Sequence, residues 1–583
     1  MGTASTRSRK GNREYLATPV IRTPEQMVAE SDAPDLSRHA WLIAMVVILA
    51  IAAFLRFYDL ELVPLHHDEG VNGNFLNRLV REGRYRYDPE NYHGPTLYYF
   101  AALFPRVVRL IFGVQAQNNY GLTTTAVRFI PAIFGLATVW LVFSLRRNLG
   151  TIGTLAAAFL LAISPGAVYL SRYFIHETQF VFFTLAMVVA VLKFYEHASA
   201  SYLFAAAASA ALLFATKETA IISVIVVLLA YLVTRIYWRL WMRADNAPRT
   251  KKQRRQAGEF SLSERAGGSS KLAMLVFLAV VLFVAINVIF YSSFFSNWKG
   301  VGDAFRTFQY WTKTGSKDHV HPFLTYFWWL LLQESPLLVL GALGALVSLI
   351  KPAGKFALFC GAWAFGLITA YSLIKYKTPW LSLNFVVPLA LSSGAAIEWL
   401  YRELQEWNLG KRARFAAVAV VLVTCLSVLP GTVRAITQRQ LHLKTFVPGY
   451  QAVDLNFRNY DNDNRYYVYV YAHTRRETLK LLDEINRIAQ RTHNGHQTGI
   501  TIVAPDYWPL PWYLRDYSRV GYFGRMVASN EPIIIATQGQ DDEVIKNFGD
   551  RYQQVHSGFN LAGNYPLRPG VELLLFTRRE LAR

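Results

Sequence analysis

The stretch that decides the fold runs from Ala40 to Phe57, AWLIAMVVILAIAAFLRF, and continues past Pro64 into His66-His67-Asp68-Glu69-Gly70. The first part is close to the roughly 20 apolar residues that cross a bilayer as a helix. After the acids, Val71, Phe75, Leu76, Leu79 and Val80 recur at helical spacing. They form one apolar stripe opposite a face of Asn, Arg and Glu, the pattern of a helix lying on a membrane surface. Asp68 and Glu69 fall at its N-terminal end, where the helix dipole favours carboxylates. Two acids beside two histidines, just outside a span, admit two readings. One is a catalytic mouth; the other is helix capping by Asp68 with Glu69 facing water.

With 53% hydrophobic residues among 583, the chain is too apolar for an ordinary soluble enzyme. Its formal net charge of +21 belongs with a membrane, where basic residues collect in cytoplasmic loops. No nucleic-acid motif accompanies it, and no nucleic-acid partner is expected. Cys360 and Cys425 both fall in apolar runs, which excludes a disulfide framework and a cysteine-based metal site. The tail, residues 1–39, is rich in Arg, Ser, Thr and Pro and is expected to be disordered and cytoplasmic. The run after it reads as a retained signal anchor.

About eleven spans are expected, near 40–57, 124–145, 152–170, 175–195, 202–216, 219–237, 272–291, 323–350, 356–374, 379–400 and 415–433. The basic loop 238–271, with Arg243, Arg249, Lys251, Lys252, Arg254 and Arg255, is placed in the cytoplasm. Six spans before it leave the N-terminus cytoplasmic and the loop 58–123 outside. Nearly every ionisable residue at a span end then falls on the outer side. These are Asp68, Glu69, Arg128, Arg172, His176, Glu177, Lys217, Glu218, Lys313, Lys317, His319, His321, Glu334, Lys375 and Lys377. Charges at membrane depth are costly and mark polar cavities. Residues 434–583 read as one extracytoplasmic domain, with strands at Tyr467–Tyr471, Ile500–Ala504, Ile533–Thr537 and Leu573–Thr577 and helices at Thr478–Arg491 and Asp541–Asp550. The fold class is therefore mainly α, a polytopic membrane protein with a small C-terminal α/β domain.

For chemistry on a lipid-phosphate sugar, Asp68 is the candidate base and Glu69 its orienting or metal-binding partner. His66 and His67 add possible ligands for a divalent metal ion, or hydrogen-bond partners. His93 precedes Gly94-Pro95 and an aromatic helix over 97–109, as a helix start or a substrate contact. Arg128, Arg172, Lys375 and Lys377 offer positive charge to a phosphate, or simply anchor span ends. Glu177, beside His176, holds a sugar hydroxyl or pairs with Arg172. Lys217-Glu218 reads as a self-satisfied pair. Trp508 and Trp512 in the run WPLPWYLR stack a sugar ring or fill a core.

An acidic pair after the first span, a surface helix, an aromatic helix and an Arg opening the second span together resemble the GT-C membrane glycosyltransferases. Protein O-mannosyltransferases and lipid A aminoarabinose transferases are the nearest in layout. Ser171-Arg172-Tyr173-Phe174-Ile175-His176-Glu177 is similar to the Ala-Arg-Tyr-to-Asp stretch of the latter. More narrowly, His66-His67-Asp68-Glu69, His93-Gly94-Pro95, the YKTPWL stretch from Tyr376 and the WPLPWYLR run resemble the prokaryotic "flippase activity-associated" subfamily. The GT-C resemblance implies inverting transfer from a polyprenyl-phosphate sugar to an extracytoplasmic glycan, lipid or protein, with Asp68 as base and Arg128 near the phosphate. The subfamily leaves open a non-catalytic part in flipping or carrying a lipid-linked glycan.

Overall fold

The computed structural model describes residues 36–91, 93–113, 120–242, 261–314, 319–350, 354–441, 451–463, 466–556 and 563–582. The tail 1–35, the basic residues Arg243 to Arg255 and Lys317 lie outside the described residues. Helix α1 (Arg38–Phe57) leads through a short loop into α2 (His67–Glu82). Helices α3 (Thr96–Ala101) and α4 (Leu103–Phe112) take the place of the single aromatic helix expected over 97–109. Pro105 accounts for the break, because its ring cannot sit against the carbonyl four residues earlier, at Ala101. Then come α5 (Thr124–Val142), the pair α6 (Thr151–Ala162) and α7 (Pro165–Ser171), α8 (Glu177–His197), α9 (Ala200–Phe214), α10 (Ala220–Met242) and α11 (Ser269–Tyr291). An amphipathic helix, α12 (Lys299–Thr314), precedes the pair α13 (Thr325–Gln333) and α14 (Ser335–Ile350). Helices α15 (Lys355–Leu373), α16 (Leu383–Glu406) and α17 (Lys411–Leu441) complete the bundle.

Eight of the described helices are long and apolar enough to cross a membrane, or ten if each bent pair is one span. The expected eleven also counted α9, which is shorter. The span expected at 152–170 bends by 57° between α6 and α7, where Ser164 and Pro165 start a new helix. The freed carbonyls of Leu161 and Ala162 accept hydrogen bonds from the buried Arg56 guanidinium of α1, at 3.2 and 2.9 Å. The span expected at 323–350 bends by 114° at Glu334 and is not one straight crossing. Glu334 accepts from the Ser164 hydroxyl and the Gly166 N–H, both at 2.8 Å, so the two breaks meet.

The C-terminal region holds a six-stranded sheet in the order β2-β1-β3-β6-β4, with β5 also paired to β6. Its strands are β1 (Ile500–Ile502), β2 (Val520–Tyr522), β3 (Ile533–Thr537), β4 (Tyr552–Val555), β5 (Tyr565–Arg568) and β6 (Val571–Arg578). β1 pairs in parallel with β2 and β3, and β6 runs antiparallel to β3, β4 and β5. Side chains alternate across the sheet. Ile533 and Ile535 pack with Leu481 and Ile485 of α18 (Thr478–Arg491), whereas Ile534 and Ala536 pack with Val544 and Phe548 of α20 (Asp541–Phe548). The short α19 (Leu510–Tyr513) docks this domain on α2, so closely that a Cβ on Gly73 would lie 2.5 Å from the Trp512 ring.

One expected strand is absent. Tyr467–Tyr471 forms no strand, and Tyr466, Tyr467, Tyr469 and Val470 join the core of the membrane helices. The run has strand-like character, but its hydroxyls find helical partners. Tyr467 donates to Asp454 at 2.9 Å, and Tyr469 lies 3.2 Å from the Ser382 hydroxyl. The boundary drawn at residue 434 therefore differs from the packing. α17 runs on to Leu441, and the sheet's own core begins with α18.

Candidate active site

His66 caps α2: its Nδ1 accepts the Asp68 N–H at 3.1 Å, and the Glu69 carboxylate accepts the His66 N–H at 2.9 Å. Successive residues in the first helical turn point about 100° apart, so the two acids diverge. Glu69 turns inward and is fully buried. Arg128 donates to it through Nε at 2.7 Å and through a terminal nitrogen at 2.6 Å, and the Phe174 N–H adds a bond at 2.8 Å. Asp68 turns outward; its side chain is 40% exposed and lines a cavity of about 560 Å³.

This division corrects several expectations. Glu69 has its oxygens filled by protein donors and is not free to bind metal or substrate. Arg128, 1% exposed, donates its remaining protons to the carbonyls of Leu60, Val63 and Pro64, so it holds the loop before α2 and not a phosphate. Arg172 does the same for the end of α1: it donates to the carbonyls of Tyr58 and Asp59 at 2.5 and 2.6 Å and stacks over Phe457. Glu177 pairs with Lys217 at 2.5 Å and not with Arg172.

Residues 374–378 explain the lysines. The chain is extended there, with Tyr376 bridged to Val320, so alternate residues face opposite ways. Ile374, Tyr376 and Thr378 line the cavity. Lys375 is exposed on the other side, and Lys377 is buried against the carbonyls of Ile374 and His321, at 2.5 and 3.3 Å. Neither lysine lines the cavity. Trp512 is buried beneath the Arg515 guanidinium against α2, a core position. Trp508 is half-buried, with its ring centroid 6.1 Å from that of His67.

The cavity does gather His67, Asp68, His93, His176 and Glu177 from the expected set. Burial pushes the His67 imidazole below its usual range, while neighbouring Asp68 pulls it back up. His176 is 3.0 Å from the Gly94 carbonyl through Nε2. Sequence reasoning set aside Lys217 and Glu218 as a self-contained pair, yet both line the cavity. Each pairs elsewhere, Lys217 with Glu177 and Glu218 with His93 at 3.2 Å. The visible signal was a charged dipeptide between two apolar runs; the partners were not readable from it. Tyr376, Thr378 and Trp380 are further lining residues, foreshadowed only by the alternation around the lysines. Among the described residues, no three His, Cys, Asp or Glu side chains are grouped to hold a metal ion.

Residues 93–247 match the family model described as dolichyl-phosphate-mannose-protein mannosyltransferase. No curated protein matches the chain. Among solved structures, ArnT from Cupriavidus metallidurans bound to undecaprenyl phosphate is similar with a TM-score of 0.59 at 15% identity, over 94% of this chain and 100% of that one. The same ArnT in its apo state gives 0.57 at 15% identity, over 92% and 98%. The archaeal oligosaccharyltransferase AglB from Archaeoglobus fulgidus, with an inhibitory peptide and a dolichol-phosphate, gives 0.48 at 14% identity, over 86% and 70%. At such identity the ArnT likeness is one of fold, and it extends over the whole of that chain. The protein is accordingly a multi-pass membrane protein whose fold is similar to that of ArnT.

Proposed function

We propose that this protein is a membrane glycosyltransferase that moves a sugar from a polyprenyl-phosphate carrier to an extracytoplasmic acceptor, with Asp68 as the base. The observation that carries this reading is the divergence of the two acids. Arg128 locks Glu69 into the scaffold, while Asp68 faces the cavity. Of the other lining acids, Glu177 and Glu218 are in ion pairs, and Glu90 stands exposed at the rim. Asp68 takes a proton from the acceptor hydroxyl as that oxygen attacks the sugar's anomeric carbon. The carbon–oxygen bond to phosphate breaks on the opposite face, and polyprenyl phosphate leaves with the bonding electrons. Among the described residues Lys217 is the lysine that lines the cavity, beside its partner Glu177, and we assign it, in place of Lys375 and Lys377, to the departing phosphate. The match to a structure holding undecaprenyl phosphate supports the carrier class. With α9 counted as a short crossing, six spans precede the basic loop, and the positive-inside pattern then supports an inner-membrane placement with a cytoplasmic N-terminus and the sheet domain outside.

The test is release of free polyprenyl phosphate by purified protein given a lipid-linked sugar and acceptor. Asp68→Asn is expected to slow release about a hundredfold or more. Undiminished release removes Asp68 from the reaction, and lipid movement without any release by the native protein favours a flippase-associated role.

A further inference from the structure

We propose that His66 is a positioning residue that couples the C-terminal segment to Asp68; this rests on the reading of Asp68 as the base. Helix N-caps are ordinarily Ser, Thr, Asp or Asn, whose short side chains satisfy a local N–H and reach no further. An imidazole has a second nitrogen on its far side. In His66, Nδ1 accepts the Asp68 N–H at 3.1 Å, and Nε2 lies 3.0 Å from the carbonyl oxygen of Tyr471. Accepting at Nδ1 and donating at Nε2 defines one neutral tautomer. The ring is 3% exposed and wedged between Tyr173, His473 and Trp380, with centroids at 5.2, 5.2 and 6.3 Å, so it has no other orientation to adopt.

Tyr471 is itself held from the cavity side: its hydroxyl lies 2.7 Å from His319 Nδ1, and its ring packs against Trp380. His319 and Trp380 both line the cavity. A single residue of the C-terminal segment thus touches the turn that carries the base and the opposite wall. Glu69 fixes the same turn from below through the His66 N–H. The Asp68 backbone is therefore held at two points, one inside the membrane domain and one supplied by the segment that leads to the sheet. Displacing a reacting group by about 1 Å costs on the order of a hundredfold in rate.

Two variants separate the halves of the bridge. His66→Asn retains an acceptor for the Asp68 N–H but cannot reach Tyr471, and His66→Gln can reach Tyr471 but loses the cap. Each is expected to lower kcat roughly tenfold to a hundredfold, with KM for the lipid-linked donor unchanged; the unfolding temperature is expected to hold in His66→Asn, which keeps the cap, and to fall slightly in His66→Gln, which loses it. Combining His66→Asn with Asp68→Asn is expected to be no slower than Asp68→Asn alone, because the imidazole acts through the carboxylate. Hydrogen–deuterium exchange over residues 466–473 is expected to rise in His66→Asn, a readout that needs no turnover. Native kcat and native exchange in His66→Asn overturn the proposal, as does a further multiplicative loss in the double variant or, in His66→Asn, a fall in kcat matched by a fall in unfolding temperature. If Asp68→Asn is fully active, the assignment of the base fails instead, and the exchange measurement alone decides whether the bridge exists.

Discussion

On the wall formed by α2, Asp68 lies at the cavity with the acceptor nitrogen of His66 at 4.0 Å and His67 as its chain neighbour. On the wall formed by residues 175–177 and 217–219, Glu177 and Glu218 are closed into pairs with Lys217 and His93, and both acids are buried. The same residue types are left open in one place and neutralised in the other. Burial decides between them: these carboxylates at 3 and 7% exposure each have a basic side chain beside them, whereas one 40% exposed keeps water as its solvent and can accept a proton from a substrate. The division also shows where positive charge goes. Arg56, Arg128, Arg172 and Lys377 all donate to backbone carbonyls at helix ends or loops, whereas Lys217, paired with Glu177, is the lysine on the cavity wall among the described residues.

The most severe way to break this contrast is to remove the scaffold's own pair. Arg128→Met leaves Glu69 buried and unpaired, and is expected to cost about 3–5 kcal/mol of stability. A large drop in detergent unfolding temperature, together with poor recovery of folded protein, checks it. An unchanged unfolding temperature would mean that Arg128 is available to ligands after all. Less drastic is Asp68→Asn, which should stop transfer while leaving carrier affinity and stability in place. Lys217→Met combined with Glu177→Gln, so that no buried carboxylate is left unpaired, sharpens the contrast from the other wall. It is expected to weaken binding of polyprenyl phosphate about tenfold, measured by displacement of a labelled carrier; an equal effect from Asp68→Asn would erase the distinction between the walls.

A pH experiment probes the bridge between domains. His473 lies in the segment after Tyr471, buried against Tyr169 and Tyr173. Burial, with His66 and Arg128 nearby, holds its imidazole well below the usual range. The unfolded chain then takes up the proton first, so this contribution to stability is complete above about pH 6.5 and is lost as pH falls below it. Unfolding temperature should fall through that window, and His473→Asn should flatten the fall. The smallest effect belongs to Lys375→Ala. With its side chain exposed away from the cavity, it is expected to change carrier affinity by about twofold at most, as surface substitutions do.

Much of the bundle was legible because apolar runs of bilayer length have few alternative fates. The two bent pairs were not, although their causes stand in the sequence: Ser164-Pro165 and Glu334 with Pro336 each interrupt an apolar run. A hydropathy pattern records that a segment is buried and says little about the direction in which it continues. The place of Asp68 at a helix start beyond the first span was legible, and the structure puts that helix start on the cavity. The roles of Glu69, Arg128 and Arg172 were not, because a charge near a span end looks the same whether it meets a ligand or a helix's last carbonyls. The lysines of 375–377 were misjudged by treating them as a cluster, when the extended backbone there turns every second residue away. Tyr467–Tyr471 misled for a related reason. An alternating aromatic run fits a strand, but here the partners that claim it are acids and hydroxyls on distant helices.

The tyrosine segment also has a consequence for biogenesis. The turn that carries Asp68 is among the first parts of the chain to leave the ribosome, and Tyr471, whose carbonyl lies against His66, is among the later ones. A nascent chain halted before residue 471 lacks the strut behind Asp68. On the proposed reading of Asp68, competence to react is thereby tied to completion of synthesis.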